Sequence, residues 1–386
     1  MKVYLNKNEE ERIINGHPWI FSNEVQRFEG NIVSGEVCEV YTYNSTFIGL
    51  GFLNTSSKII VRMLTNIKED INEEFFYNRI NNAWKMRQRL NLENNCRVVY
   101  SEADYLPGLI VDKYNDTLVI QVLSLGMDKH KMWIINSLIK IFNPKCIYER
   151  SDVSVRLKES LQEYKGVLYG EFTPKVLIEE NGIKILVDIE NGQKTGYFLD
   201  QKMNRKSLEQ YVNNKTVLDC FSHTGGFALH ASKYNAKQIV AVDISEKACS
   251  DILNNAKLND FNNIDVVCSD VFDYLRQEEN NQKFDVIVLD PPAFTKSKDT
   301  VKKAYRGYKE INLQALKMIK SGGILLTFSC SMNMTKDLFM TMIKDAARDS
   351  KRKVRLLDFR FQSIDHPMLL SEDESVYLKC AVLYVI

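Results

Sequence analysis

Residues Thr216 to Phe227 read TVLDCFSHTGGF. A β-branched, apolar run ends on Asp219, Cys220 and Phe221, a short polar turn follows, and the pair Gly225-Gly226 opens a helical stretch, GFALHASKY. A strand that enters a helix through glycines makes a turn whose backbone can come close to a ligand. What this one turn means depends on whether the pattern around it repeats.

It does. From about Gln201 the chain alternates helix QKMNRKSLEQYV, strand TVLDCF, helix GFALHASKY, strand QIVAVDIS and helix EKACSDILNNAKLN. Strand IDVVCSD, a short helix, strand FDVIVLD, helix YKEINLQALKMI and strand GILLTFS follow. Apolar strands alternating with amphipathic helices predict an α/β fold, a parallel sheet with helices on both faces. Ligands of such sheets sit beyond the carboxyl ends of the strands.

Those ends carry acids. Asp219 closes the first strand and Asp243 the second, about twenty residues on, where a ribose diol would be bonded. The third ends in Ser269-Asp270-Val271, a second acid able to accept a proton from the adenine amine. The dinucleotide pattern GxGxxG is absent. Acids ending three consecutive strands resemble the S-adenosylmethionine site of class I methyltransferases; the bland alternative is three aspartates capping helices.

The fourth strand ends in Asp290-Pro291-Pro292-Ala293-Phe294. Pro291 biases Asp290 towards extended geometry, and neither proline donates a backbone N–H. The result is a stiff corner that projects a carboxylate and a ring on which a nucleobase could stack. An ordinary strand-ending turn is the alternative.

The fifth strand runs through ILLTFSCSMN, Ile324 to Asn333, and delivers Cys330. In the expected sheet order this strand neighbours the one bearing Asp290, so thiol and carboxylate meet at one edge. Carbon 5 of a pyrimidine is a poor nucleophile until a thiolate adds at carbon 6, whereas a ring nitrogen or exocyclic amine needs no such help. A cysteine here therefore selects carbon methylation, provided the site ionises a thiol whose ordinary pKa is about 8.5. Packing as a small hydrophobe is the competing explanation, and it is the one adopted for Cys220 and Cys268.

The rest of the chain frames this region. With 386 residues, two or three domains are expected. The first 70 or so residues alternate short β runs with turns (WIFSNEV, GEVCEVY, TFIGLGFLN, KIIVRML) and predict a small β-barrel or sandwich over 1–72. EEFFYNRINNAWKMRQRL switches to helical period, with Phe76, Ile80, Ala83, Trp84 and Leu90 on one face. Two strands about the Asn115-Asp116 turn, a helix DKHKMWIINSLIKIF and a strand CIYER complete a central α+β domain, 73–176. Asn181-Gly182 then signals a hairpin at the start of the catalytic domain, 177–386.

Composition narrows the function. The eight cysteines are scattered and form no CxxC pair, and the five histidines are dispersed, which argues against a metal and for reduced thiols. No apolar run approaches the roughly 18 residues of a membrane span, and the N-terminus is polar, so a cytoplasmic protein is expected. A net charge of +1 advertises no nucleic-acid partner. Local basic clusters exist: Lys296, Lys298, Lys302 and Lys303 in one loop, and RDSKRKVR from Arg348 to Arg355. Such runs are most often solvated surface.

Taken together, the chain resembles the class I S-adenosylmethionine-dependent 23S ribosomal RNA cytosine-5-methyltransferases with an N-terminal PUA domain, over essentially its whole length. Gly16-His17-Pro18-Trp19-Ile20-Phe21 resembles the opening of that RNA-binding barrel. EADYLPGLIVDKY (Glu102–Tyr114) resembles the central-domain signature, with Tyr105 where glycine is usual. TGYFLDQKMNR (Thr195–Arg205) resembles the segment before the catalytic domain, with Lys202 where arginine is common. Asp365-His366-Pro367 and Tyr377-Leu378-Lys379 resemble its C-terminal strands.

The resemblance implies roles. Cys330 would be the nucleophile and Asp290 would contact or protonate N3 of the cytosine. S-adenosylmethionine would be held by the Asp219 loop with Phe221, Gly225 and Gly226, by Asp243, Asp270 and Val271, and by Gln201, Arg205 and Asp290. Pro291, Pro292, Phe294, Lys296 and Lys298 would meet large-subunit ribosomal RNA, with no metal and no membrane; a homodimer stays open. Another RNA cytosine-5 family carries a further cysteine after the fourth strand; here Ala293 and Phe294 stand there, so the base that removes the carbon-5 proton is unassigned. A base-nitrogen methyltransferase, a non-catalytic RNA-binding assembly factor and a nicotinamide oxidoreductase are the rival readings.

Overall fold

In the computed structural model, which describes residues 1–295, 297–372 and 375–386, the alternating runs of the first 70 residues form a six-stranded sheet. Its order is Trp19–Phe21, Ile59–Thr65, Phe47–Leu53, Val37–Tyr41, Lys2–Leu5, Val25–Glu29. Alternate residues (Val3, Leu5, Ile20, Cys38, Val40, Leu53, Val61) fill its core. The Lys2–Leu5 strand pairs in parallel with Val37–Tyr41, a long-range contact that local alternation does not reveal.

The helix expected next spans Glu73–Arg89, and the Asn72 side chain accepts from Phe75 N at its start. Phe76, Ile80 and Ala83 are buried in one apolar cluster with Ile134 and Leu138. Leu90 does not belong to that face: it is the residue after the helix and is 41% exposed. A five-stranded sheet follows, with Leu109–Tyr114 and Thr117–Val122 paired as a hairpin through Asn115-Asp116. The second expected hairpin joins Lys175–Glu180 to Ile183–Asp188, with Asn181 and Gly182 at φ 50° and 74°. Two successive left-handed residues are what a two-residue turn of this twist requires.

Contacts divide the chain into two units: Met1–Ile178, Leu186–Leu199 and Asp365–Ser375 in the first, Glu179–Ile185, Asp200–Ile364 and Val376–Ile386 in the second. The second unit is built on a seven-stranded sheet. We label its strands β1 (Thr216–Cys220), β2 (Gln238–Asp243), β3 (Ile264–Cys268), β4 (Phe284–Leu289), β5 (Ile319–Ser329), β6 (Val354–Arg360) and β7 (Lys379–Val385). Its helices are α1 (Gly226–Lys233), α2 (Glu246–Leu258), α3 (Val271–Tyr274), α4 (Val301–Met318) and α5 (Lys336–Ser350). The order is β3-β2-β1-β4-β5-β7-β6. β1 to β5 are mutually parallel, and β7 enters antiparallel between β5 and β6.

The strands are apolar on both faces because both are covered: Leu218, Val242, Ile287, Val288, Leu325 and Leu326 are each fully buried. Register aligns Cys220 with Val242 on one side and Leu289 on the other, and Leu289 with Thr327. The carboxyl ends of β1, β2, β4 and β5 therefore share one edge.

Three further expectations are corrected. Asp365-His366-Pro367 is a loop, not strand, and only Lys379 of Tyr377-Leu378-Lys379 lies in β7. Lys302 and Lys303 are not in a loop but in the first turn of α4, which starts seven residues before the expected YKEINLQALKMI. Cations oppose the dipole at a helix N-terminus, so no start signal was readable there. QKMNRKSLEQYV is not one helix; it forms Lys202–Lys206 and then a tighter turn, Ser207–Gln210.

Candidate active site

Between β1 and α1 the backbone turns through three left-handed residues, Phe221 (φ 63°), His223 (φ 52°) and Gly225 (φ 86°). For a bulky residue such as Phe221 this conformation is strained, and it persists only where surrounding contacts over-determine it. Ser222 Oγ donates to Asp219 O at 2.7 Å, and His223 N donates to Asp243 Oδ2 at 2.9 Å. A Cβ on Gly225 would meet Ile252 at 3.1 Å. Behind the loop, His230 is fully buried and bonded to Gly226 O (2.7 Å) and Asn181 Nδ2 (3.0 Å). Burial pushes its pKa down to about 4, so the ring is neutral and must donate to the carbonyl through Nδ1 and accept from the amide through Nε2.

Asp219 lies beneath the loop, 1% exposed. Its Oδ2 accepts from Ala228 N in the first turn of α1 at 3.0 Å, while Oδ1 has no hydrogen-bond partner. Burial raises its pKa to about 8, with the charges of Asp290 and Asp243 adding to the rise. Asp219 thus feels both of the other carboxylates.

Asp243 Oδ1 accepts from Ser245 N at 2.9 Å, and Ser245, not Asp243, caps α2. Asp270 does cap its helix: its side chain accepts from Phe272 N at 2.7 Å, and Val271 is buried behind it. The capping alternative thus holds for Asp270, and Asp243 serves both the loop and the turn before α2.

Gln201 Nε2 donates to both carboxylate oxygens of Asp290, at 2.9 and 3.0 Å. Gln201 Oε1 accepts from Asn204 Nδ2 (2.8 Å), whose Oδ1 accepts from Arg360 Nε (3.1 Å). Arg205 is committed elsewhere, to a buried two-pronged pair with Glu180 at 2.7 and 2.9 Å. Pro291 is buried and Pro292 exposed. Phe294 is half-buried, its ring 4.6 Å from that of Tyr308 and 6.1 Å from that of Phe272. Lys296 lies outside the described residues, as does the side chain of Lys298.

Cys330 follows β5 directly, half-buried, with Sγ 3.8 Å from Pro291 O. Thiol and acid corner are neighbours, as the strand order required. Sequence reasoning missed Lys379: it opens β7 opposite Ser329 and sends its ammonium to Ser331 O at 2.8 Å. The one available signal was a lysine heading the apolar run KCAVLYV.

Comparison with known proteins shows the family. A PUA-like domain profile matches residues 3–66, and the profile of an S-adenosylmethionine-dependent methyltransferase family matches residues 160–365. The "Ribosomal RNA large subunit methyltransferase I" of Aeromonas salmonicida is 44% identical over 390 residues, covering 99% of this chain and 98% of that one. That of Vibrio vulnificus is 43% identical over 387 residues, covering 98% and 97%. The chain belongs to this family of S-adenosylmethionine-dependent methyltransferases. A crystal structure of a methyltransferase in complex with SAH shares the fold over 100% of both chains, with a TM-score of 0.86 at 23% identity.

The methyltransferase cofactor is S-adenosylmethionine. The site suits it: the cofactor carries a sulfonium and an ammonium, and Asp219, Asp243 and Asp290 make this strand edge acidic. The orphaned Oδ1 of Asp219 is a buried acceptor that a cationic ligand would satisfy.

Proposed function

We propose that this methyltransferase modifies carbon 5 of a cytosine in large-subunit ribosomal RNA, with Cys330 as the nucleophile. The observation that carries the reading is the thiol of Cys330 at the acid corner, 3.8 Å from the Pro291 carbonyl and next to Asp290. A nitrogen methyltransferase would gain nothing from a thiol at that place.

In this reading the bound cofactor supplies an electrophilic methyl group. The Asp219 loop with Phe221, Gly225 and Gly226 holds it together with Asp243, Asp270 and Val271. Gln201 steers Asp290, whose carboxyl contacts N3 of the base. The Cys330 thiolate adds to carbon 6, forming an S–C bond and moving the ring's electron pair onto carbon 5. After carbon 5 is methylated, loss of its proton returns that pair and expels the thiolate. Phe294, packed on Tyr308, shapes the pocket wall with Pro291 and Pro292. Arg205, tied to Glu180, supports the loop from behind.

Residues 1–72 act as the RNA-binding PUA-like domain, 73–176 as the central domain and 177–386 as the catalytic domain. A ribosomal RNA substrate puts the enzyme in the cytoplasm. A cytosine must leave any stack to meet the thiol, so a loop or single-stranded site is the expected target.

The test is to incubate the protein with unmethylated large-subunit ribosomal RNA and S-adenosylmethionine, digest the RNA and identify the product by mass. The expected product is 5-methylcytidine, lost in Cys330→Ala. A nitrogen-methylated nucleoside, formed equally by Cys330→Ala, would overturn the reading.

A further inference from the structure

Lys379 is among the largest fully enclosed side chains of the protein, 2% exposed. Its Nζ donates to the Ser331 carbonyl at 2.8 Å, and among the described residues it is paired with no carboxylate. A buried ammonium without a counter-charge is costly and tends to give up its proton. Burial draws the Lys379 pKa down to about 8, and the charge that opposes this is that of the Cys330 thiolate.

On the acid corner the Cys330 sulfur meets a carbonyl, Pro291 O, and the two prolines have no N–H to offer. An acceptor facing the sulfur favours the thiol and repels the thiolate. Tyr308 on α4 faces the same turn, its hydroxyl 2.9 Å from Ser331 Oγ, and burial raises its pKa so that it stays neutral. Asp290 brings negative charge, held by Gln201. Arg360 on β6 is engaged with Asp358 and Asn204. Cys380, next to Lys379 on β7, is fully buried and its thiol is pushed far above the ordinary range. From β7, opposite Ser329, the Lys379 ammonium reaches the carbonyl of Ser331, the residue that follows Cys330.

We propose that Lys379 is the positioning residue that ionises Cys330, its ammonium holding the thiolate in a thiolate–ammonium pair. The S–H bond breaks and its proton leaves to bulk water, while the thiolate supplies the counter-charge that the buried ammonium lacks. The catalytic use of the pair rests on Cys330 being the nucleophile; the existence of the pair does not.

The experiment is therefore the pH profile of Cys330 alkylation by iodoacetamide, read by mass on the Cys330 peptide without RNA. The thiol of Cys268, exposed rather than packed in the core as expected for it, serves as reference in the same sample. In the native chain Cys330 should reach half-maximal reactivity at lower pH than Cys268. Lys379→Met should move that point up by about one unit, a roughly tenfold loss of rate near neutrality, and Lys379→Arg should recover most of it. An unmoved Cys330 profile in Lys379→Met, with the Cys268 rate and cofactor binding intact, overturns the proposal. If the methionine variant does not fold, the arginine and glutamine variants decide: equal profiles for those two overturn it as well. A shifted profile in an enzyme whose product proves nitrogen-methylated would keep the pair and remove only its catalytic use.

Discussion

Gln201 presents its amide to both oxygens of Asp290, and behind it Asn204 and Arg360 complete a relay that begins on a guanidinium. Each member is turned by the next, so the amide of Gln201 must point its nitrogen at the carboxylate. Charge-assisted chains of this kind hold a group in one orientation and are costly to break part-way. Gln201→Glu would set two carboxylates against each other. We expect it to lower the methylation rate about 100-fold, the scale of misplacing a catalytic group by an ångström. Tritium-methyl incorporation measures it; a fall of less than threefold would deny the relay a role in aiming Asp290.

Cys330→Ala should lose at least about 1,000-fold in methylation, the scale of removing a covalent nucleophile. Its affinity for S-adenosylmethionine should stay within about threefold, since in the proposed function the thiol meets the base and not the cofactor. Calorimetry and product formation on the same preparation separate the two quantities.

Asp219 predicts how cofactor affinity changes with pH. Its folded pKa is raised to about 8, and a cationic ligand favours the ionised form, so binding expels a proton. Affinity should then rise with pH and level off near pH 8. Calorimetric enthalpies should differ between buffers of different ionisation heat below that point. In Asp219→Asn the slope should vanish.

His230 predicts acid sensitivity. Its folded pKa is lowered to about 4 by burial, while in the unfolded chain it takes a proton near pH 6.5. Below that pH the unfolded state binds a proton that the folded state refuses, so stability present at neutrality is lost as pH falls from about 6.5 towards 4. At pH 5 the share of this one group is about 2 kcal/mol. Urea unfolding at pH 7 and pH 5 should show a smaller difference in His230→Gln than in the native chain.

The lysines that follow Phe294 predict a salt effect. Replacing Lys296 and Lys298 by glutamine should weaken RNA binding and flatten the plot of log affinity against log salt by about 0.7 per lost contact on single-stranded RNA. An unchanged slope would remove them from the interface.

Much of the sheet was legible because buried parallel strands leave continuous apolar runs, and β1 to β5 all do. The acid corner and Cys330 were legible for the same reason, being fixed to the ends of such runs. What burial and pairing decide was not. Asp219 was readable as a cofactor-site acid at a strand end, but its enclosure under the loop was not, because its backbone position says nothing of how Phe221 and His223 fold over it. Lys379 was readable only as part of a C-terminal strand segment, Tyr377-Leu378-Lys379, with no site role. Only the antiparallel entry of β7 beside β5 brings it to Ser331, and no periodicity encodes which strand is its neighbour.

The path of the chain between its two units has a practical consequence for genetic dissection. Asp365, on the segment between β6 and β7, belongs to the first unit, fully buried. Its Oδ2 accepts from Arg97 N at 3.0 Å and its carbonyl from Arg87 at 2.7 Å. A fragment cut at residue 177 would carry this carboxylate away from both arginines and strip the first unit of a stretch of its own interior. The gene therefore has no single point at which it can be divided into two sound pieces. Useful halves would have to be rejoined in a different chain order, or expressed together and allowed to find each other.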